Sequence, residues 1–400
     1  MATNIDIKAI IAGKRIPIHL KVDWLAFTIS EEEDKLKDCE FLWLKKLGYA
    51  LEDFENVSGK NFLNSGKSLD GGAVRVFYND RSLPVMKGTS SIHNYIFSGV
   101  GCTGLQQHLE RLNKTWVDLF KDLSKTKTWR IKRLDLAGDD WNYKPFVSFD
   151  YIDRKIAKKE YVSKNRRFNT ITDFDTNGKL IGKTQYFGSR SSGSAGFVLC
   201  RTYLKSAQML YAKKQVDALP IEVLLQSKRP DFEDYSWIRW ELEITKHKAE
   251  EMVKLILKKS KTSKNALAEA YYEVLKGVID FKVPTKNQHG EIYKNKTKWR
   301  TSPKYELLLN NIKNKAVLEN ADKIYDLDSV LRWIRFSCLP TLQMVQEIME
   351  RFGYDFYDTL RSLDQAEYSK KQLKLLRETQ SMTQRELEFY MKHFEMGDYE

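Results

Sequence analysis

The chain has 400 residues, enough for two or three domains with cores of their own. Charged residues are 30% and hydrophobic residues 42%, a balance that excludes a disordered chain. The net charge of +13 favours a polyanionic partner, nucleic acid before a membrane surface. No run reaches transmembrane length, and the start lacks the basic-then-apolar pattern of a signal peptide, so a cytoplasmic protein without a membrane partner is expected. The four cysteines, Cys39, Cys102, Cys200 and Cys338, form no Cys-x-x-Cys pair, and the six histidines are scattered. Reduced thiols are expected, and a histidine-built metal site is not.

Residues 1–21 read as a leader. Residues 22–29 are rich in β-formers and predict a strand. Residues 31–48 open acidic, close basic and end at Gly48, which predicts a helix. Strands are predicted at 49–57, 73–78, 85–87 and 92–97, followed by an amphipathic helix over 103–123. The same order then repeats. A strand at 129–138 is followed by a helix at 149–159, strands at about 166–174, 180–187, 197–205 and 236–245, an inserted helix at 206–217, and a closing helix at 246–259. The predicted catalytic domain is therefore 22–260, α+β in class. It reads as two related strand-helix-strand halves, about 22–128 and 129–260, forming one curved, mainly antiparallel sheet with flanking helices. A helix at 264–281 and a basic linker at 282–304 complete a 261–304 connection. The linker holds seven Lys or Arg against one Glu, with Tyr293 and Trp299 interleaved, a composition suited to a phosphate backbone or simply to solvent. From 305 to 400 the pattern is helical, with turns near Cys338–Pro340 and Gly353. An all-α C-terminal domain is predicted.

The chemistry gathers on three of these strands. Residues 197–205 follow a glycine- and serine-rich turn, and period-two alternation puts Arg201, Tyr203 and Lys205 on one face. A phenol between two cations is a device for attacking a phosphodiester: the cations hold the phosphate, and the expectation is that they lower the phenol's pKa. The strand 129–138 places Arg133 and Asp135 on one face, and 236–245 places Arg239, Glu241 and Glu243 on one face. Carboxylates on central strands need a neutralising partner. That partner is either arginine or a hard divalent cation, Mg²⁺ or Mn²⁺, and Asp23 on the first strand is a further candidate ligand.

Six segments together resemble the trans-acting replication initiator family: VDWLAFTI (22–29), SGVGCTGLQQHLE (98–110), RLDLAGDD (133–140), TQYFGSRSSG (184–193), RTYLK (201–205) and RWELEI (239–244). That family holds rolling-circle plasmid initiators, relaxases of conjugative elements and phage replication proteins. Their order and spacing are more specific than any single segment. The resemblance implies a metal-dependent DNA nicking enzyme in which Tyr203 attacks one strand at an origin. The product is a 5′-phosphotyrosine link and a free 3′-OH. It implies Asp135 and Glu241 as first-choice metal ligands, Glu243 and Asp23 as second choices, and Lys205, Arg201 and Arg190 at the phosphate. Arg239 and the run Lys294, Lys296, Lys298, Trp299 and Arg300 are added as candidate DNA contacts. Relatives often have Asp or Asn where this chain has Leu204, a position facing away from the phenol. The family also implies a helicase partner and a homodimer or paired sites.

Tyr186 and Tyr211 are the rival nucleophiles, and neither has cations two residues away on both sides. A tyrosine recombinase, with His108, Arg111 and Tyr143, is a weaker match because His108 falls within an amphipathic helix. A non-catalytic DNA-binding regulator of a mobile element is the alternative of a different class, since it needs only the basic charge.

Overall fold

A computed structural model gives the fold. It describes residues 9–10, 12–35, 40–60, 62–83, 91–178, 180–190, 196–205, 237–312, 314–316, 318, 327, 330–331, 334–362, 368, 370–380, 382–385, 387–388 and 391. The chain divides into two units, the larger within Met1–Pro84 and Ser91–Ala321 and the other chiefly within Asp322–Glu400.

The larger unit begins with β1 (His19–Ser30), α1 (Leu42–Lys46), β2 (Glu55–Ser58), β3 (Ser65–Leu69), β4 (Val74–Tyr78), β5 (Ile92–Phe97), α2 (Gly99–Arg111) and α3 (Trp116–Ser124). It continues with β6 (Arg130–Asp140), α4 (Phe149–Ala157), β7 (Tyr161–Val162), β8 (Phe168–Phe174), β9 (Leu180–Phe187), β10 (Val198–Leu204), β11 (Ile238–Thr245), α5 (His247–Lys259) and α6 (Ala266–Val278). Ten strands pair antiparallel in the order β2-β3-β4-β5-β1-β6-β11-β10-β9-β8. The order is symmetric about the β1–β6 seam. Going outward, each half presents its first strand, then its last, then the earlier ones in reverse. A helix pair follows each half in the chain. The expected duplication is thus two copies of one topology within a single sheet.

Alternation explains which face is which. Leu25, Phe27 and Ile29 of β1, Leu134 and Leu136 of β6, and Trp240, Leu242 and Ile244 of β11 join one buried cluster with residues of α2, α3, α5 and α6. Helix α2 lies against β1, and α5 against β6 and β11. The residues between them in sequence, including Asp135, Glu241 and Glu243, face the other way.

Several expected elements change. Where a helix is expected at 31–48, the described residues show a turn at 31–34 and a helix at Leu42–Lys46. The cause is Asp34, fully buried, which accepts from Trp43 N at 2.8 Å, contacts His93 Nδ1 at 2.6 Å and accepts from the Tyr95 hydroxyl. Positions 36–39, 85–87 and 206–217 lie outside the described residues. The single helix expected over 103–123 is two, because Asn113 is left-handed (φ 53°) and Thr115 with Asp118 caps a new start. Strand β3, Ser-Gly-Lys-Ser-Leu, has few β-formers and is held by ladders on both sides.

The segment read as a basic linker folds onto the larger unit. β12 (Asp280–Val283) pairs with β7 and with β13 (Arg300–Thr301), and α7 (Pro303–Leu308) follows. Tyr305 of α7 is fully buried and donates to the Ile279 carbonyl at 2.8 Å, so the helical region's first helix belongs to this core. The chain then turns at Asn310 and Asn311, both left-handed. The second unit contains α8 (Leu339–Arg351), α9 (Phe356–Ser362) and α10 (Lys370–Glu378). Gly353 makes the expected turn (φ 75°), whereas Pro340 sits in the first turn of α8, directly after a π-helical turn at Ile334–Cys338. Among the described residues no helix is long and apolar enough to cross a membrane.

The Ser98–Cys102 segment is a close helix approach. Ser98 N donates to the Ala73 carbonyl at 2.9 Å, and a Cβ on Gly101 would stand 2.1 Å from that oxygen. Gly101→Ala is expected to cost about 1–3 kcal/mol by overpacking against backbone that cannot yield, read as a lower midpoint in denaturant.

Candidate active site

The site sits where β10, β11 and β6 run side by side. Their registers pair Arg201 with Glu241, Tyr203 with Arg239, Glu243 with Asp135 and Arg239 with Asp139. Paired residues share a face, so these side chains converge. Tyr203 is 5% exposed, and Asp135 and Glu241 1% each. The Tyr203 hydroxyl donates to Glu241 Oε2 at 2.8 Å, and Arg201 Nη2 lies 2.5 Å from Glu241 Oε1. The Lys205 ammonium and the Arg201 guanidinium each stand 5.7 Å from the Tyr203 ring centre.

Each candidate acid has a cationic partner. Asp135 accepts from Arg133 Nε at 2.9 Å and from Nη2 at 2.5 Å, and that same Nη2 lies 3.7 Å from Glu243 Oε2. Glu243 accepts from Arg190 Nη2 at 2.9 Å. Asp23 is the unpaired residue of a β-bulge between Val22 and Trp24, which swings its carboxylate to Lys21 (2.8 Å) and Arg239 Nη1 (3.2 Å). Arg239 also grips Asp139 through Nε at 2.7 Å and Nη2 at 2.8 Å.

The electrostatics correct one expectation. The phenol of Tyr203 is pushed well above its ordinary value, by burial first and by the Glu241 carboxylate second; Arg239 and Arg201 pull the other way and lose. The hydroxyl is therefore a protonated donor aimed at a carboxylate. Lys205 is brought down to about 8, by burial first and then by the charges of Arg239 and Lys21, with Asp23 and Asp139 opposing. Asp23 falls to about 2, because Arg239 and Lys21 outweigh its burial. Burial pushes Asp135 up to about 7; Arg133 opposes, and Glu241 and Glu243 add to the rise.

These acids bear on the metal expectation. Among the described residues no three His, Cys, Asp or Glu converge as a metal cage. The donor chemistry nevertheless fits a hard divalent ion. Asp135 and Glu243 are opposite one another in register, and all donors are oxygen.

The other candidates are placed as follows. Arg239, read from sequence as a DNA contact, is 3% exposed with its guanidinium held by Asp139 and Asp23, so it braces the site from within. Lys294, Lys298 and Arg300 are exposed. Lys296 instead donates to the Lys159 carbonyl at 2.7 Å, and the Trp299 indole donates to the Tyr293 carbonyl at 2.7 Å. Lys296 and Lys298 cap the Trp299 and Tyr293 rings at 5.8 and 5.4 Å. Tyr186 pairs with Arg201 and so shares the site face; Tyr211 lies outside the described residues. His108 stacks on Tyr49 at 4.3 Å and contacts the Leu47 carbonyl at 3.1 Å, a packing role that weakens the recombinase reading. Sequence reasoning missed Asp139 as the partner of Arg239, although it lies four residues past Asp135 on the same strand face.

The doubled antiparallel sheet has a counterpart among solved structures. It superposes on the structure of the Rolling Circle Replication Initiator Protein from Geobacillus stearothermophilus with a TM-score of 0.54, over 76% of this chain and 99% of that one, at 22% identity. The replication initiation factor (Rep_trans) family model matches residues 129–362, more than half of the sequence, and the chain belongs to that family. It is also 27% identical over 278 residues, 69% of this chain and 70% of the relative, to a candidate DNA relaxase, NicK, of Bacillus subtilis (strain 168). The family match starts at β6, and apart from Asp23 every candidate acid and the candidate nucleophile lie after that point.

Proposed function

We propose that this protein starts rolling-circle replication or strand transfer by nicking one strand of its origin DNA, with Tyr203 as nucleophile. The observation that carries the reading is the 2.8 Å bond from the Tyr203 hydroxyl to Glu241, beside the Asp135–Glu243 pair. Tyr203 Oη attacks phosphorus, and its proton passes to Glu241 Oε2. The bond from phosphorus to the 3′-oxygen breaks. Lys205, with a pKa of about 8, is the donor that protonates that oxygen. The strand then ends in a 3′-OH on one side and a 5′-phosphotyrosine on the other; the reverse steps reseal it. Arg190, exposed, and Arg201, partly exposed, turn from their carboxylates to the incoming phosphate. Asp135 and Glu243 are the residues that would hold Mg²⁺ or Mn²⁺, with Glu241 between them and the phenol. An ion held there would supply positive charge to the phosphate and leaving oxygen. The exposed Lys294, Lys298 and Arg300 extend the DNA-binding surface. A helicase partner and a paired or dimeric complex enter this reading through the family resemblance alone.

The test is covalent. Single-stranded fragments from the DNA flanking the gene are incubated with the protein and Mg²⁺ or Mn²⁺, and the adduct is digested and mapped. The phosphonucleotide is expected on Tyr203. Its recovery on Tyr186 or Tyr211 would displace the nucleophile, and operator binding with no adduct would leave the regulator as the function.

Asp135 also predicts a pH dependence. Below about 7 its carboxylate is protonated and must lose that proton to bind an ion. Mn²⁺ affinity, measured by titration calorimetry, is expected to fall about tenfold per pH unit below 7 and to level off above it. Asp135→Asn should flatten that slope.

A further inference from the structure

A second basic feature lies apart from the phenol. A cavity of about 370 Å³ opens between the start of β10, the end of α6 and the segment before β8. Four cations line it: Lys164, Arg166, Arg167 and Lys248. No acidic side chain is among its described lining, and none of the four has an ion-pair partner among the described residues. Lys248 is half-buried, and its pKa is lowered by burial and then by the charge of Lys164. Apolar groups, Phe197 and Val278 among them, form the wall. Positive charge without an acidic counterpart around an apolar-walled hollow suits an anion with a flat apolar part.

The cavity joins the active site through one turn of chain. Gly188, left-handed at φ 115°, donates its N–H to the Arg167 carbonyl at 2.9 Å. Ser189 lines the cavity, and Arg190 reaches Glu243 at 2.9 Å. Val198 lines it too, on the strand that carries Tyr203; five residues apart, the two face opposite sides of the sheet, so the cavity opens on the helix side and the Gly188–Arg190 turn at the strand ends leads from one face to the other. A single strand lying across the phenol would reach the four cations by rounding this turn at the end of the sheet.

We infer that this cavity is a nucleotide subsite for the single strand beyond the cleaved phosphodiester, with the base against the apolar wall and its phosphates on Lys164, Arg166, Arg167 and Lys248. It rests on the reading of Tyr203 as a nicking residue only for the direction of the strand. The ligand chemistry, a phosphorylated nucleotide, could also come from a free mononucleotide, and the probes separate the two.

The probes are fluorescent oligothymidylate of about a dozen nucleotides, within the site sizes of single-strand binders, together with thymidine monophosphate and inorganic phosphate. With the full chain, Arg166→Glu/Arg167→Glu is expected to weaken oligothymidylate binding at least tenfold. It should also lower the slope of log affinity against log salt by about 1.4, two phosphate contacts' worth. Both arginines are exposed, so the variant has no buried partner to lose. On the wild type, oligothymidylate should shield Lys164 and Lys248 from acetylation. An unchanged affinity and salt slope, or unshielded lysines, overturns the subsite. Equal shielding by the mononucleotide or by phosphate overturns its assignment to a DNA strand. If a Tyr203 adduct forms while these readouts do not move, the subsite alone fails. If they move while no adduct forms, the nicking reading alone fails.

Discussion

Tyr203→Phe is expected to abolish the covalent adduct and to lower nicking by on the order of 10⁶-fold, the scale of loss when a covalent catalyst is deprived of its nucleophile. The substitution removes one oxygen and little else. Glu241 keeps Arg201 at 2.5 Å, so it is not left as an unpaired buried charge, and folding stability should change by only about 1 kcal/mol. Glu241→Gln gives the informative contrast. The adduct should still form on Tyr203 but about 10²–10⁴-fold more slowly, because an amide cannot take the phenol's proton. Gel assays of both variants on the same oligonucleotide separate nucleophile from base. Tyr186 is the control that matters, since it stands across from Arg201 on the same face. If Tyr203→Phe still forms adduct and Tyr186→Phe does not, the roles are exchanged.

What could be read from the sequence here was periodic, and what could not was long-range. Alternation in 129–138 and 236–245 put Asp135, Glu241 and Glu243 on one face, and the structure's registers agree. The repeated strand-helix order foretold a doubled sheet because each half carries its own hydrophobic alternation. The pairing Arg190–Glu243 spans 53 positions and Arg239–Asp23 spans 216, and no local pattern encodes such distances. The bulge that turns Asp23 toward Arg239 shifts register by a single residue, which alternation alone cannot show. Burial was equally hidden. Arg201 and Arg239 look alike in a strand pattern, yet one is partly solvent-facing and the other is enclosed. The direction of the Tyr203 shift follows from that enclosure, since desolvation outweighs the two neighbouring cations.

Arg239→Met is expected to destabilise the protein by about 3–5 kcal/mol, the cost of removing one member of a buried ion pair. Arg239 and Asp139 are 3% and 2% exposed, joined by two bonds of 2.7 and 2.8 Å. Without the guanidinium, Asp139 keeps, among the described residues, the Trp237 indole at 3.2 Å, and Asp23 keeps Lys21. Denaturant unfolding of Arg239→Met, of Asp139→Leu and of the double variant tests the coupling, and the double variant should recover most of the loss because no charge is then stranded. Loss of DNA affinity with an unchanged unfolding midpoint would instead return Arg239 to the DNA surface. The buried ladder Asp23–Arg239–Asp139 is then the frame that fixes β1, β11 and β6 beside the phenol, so its loosening should slow adduct formation even where the fold survives.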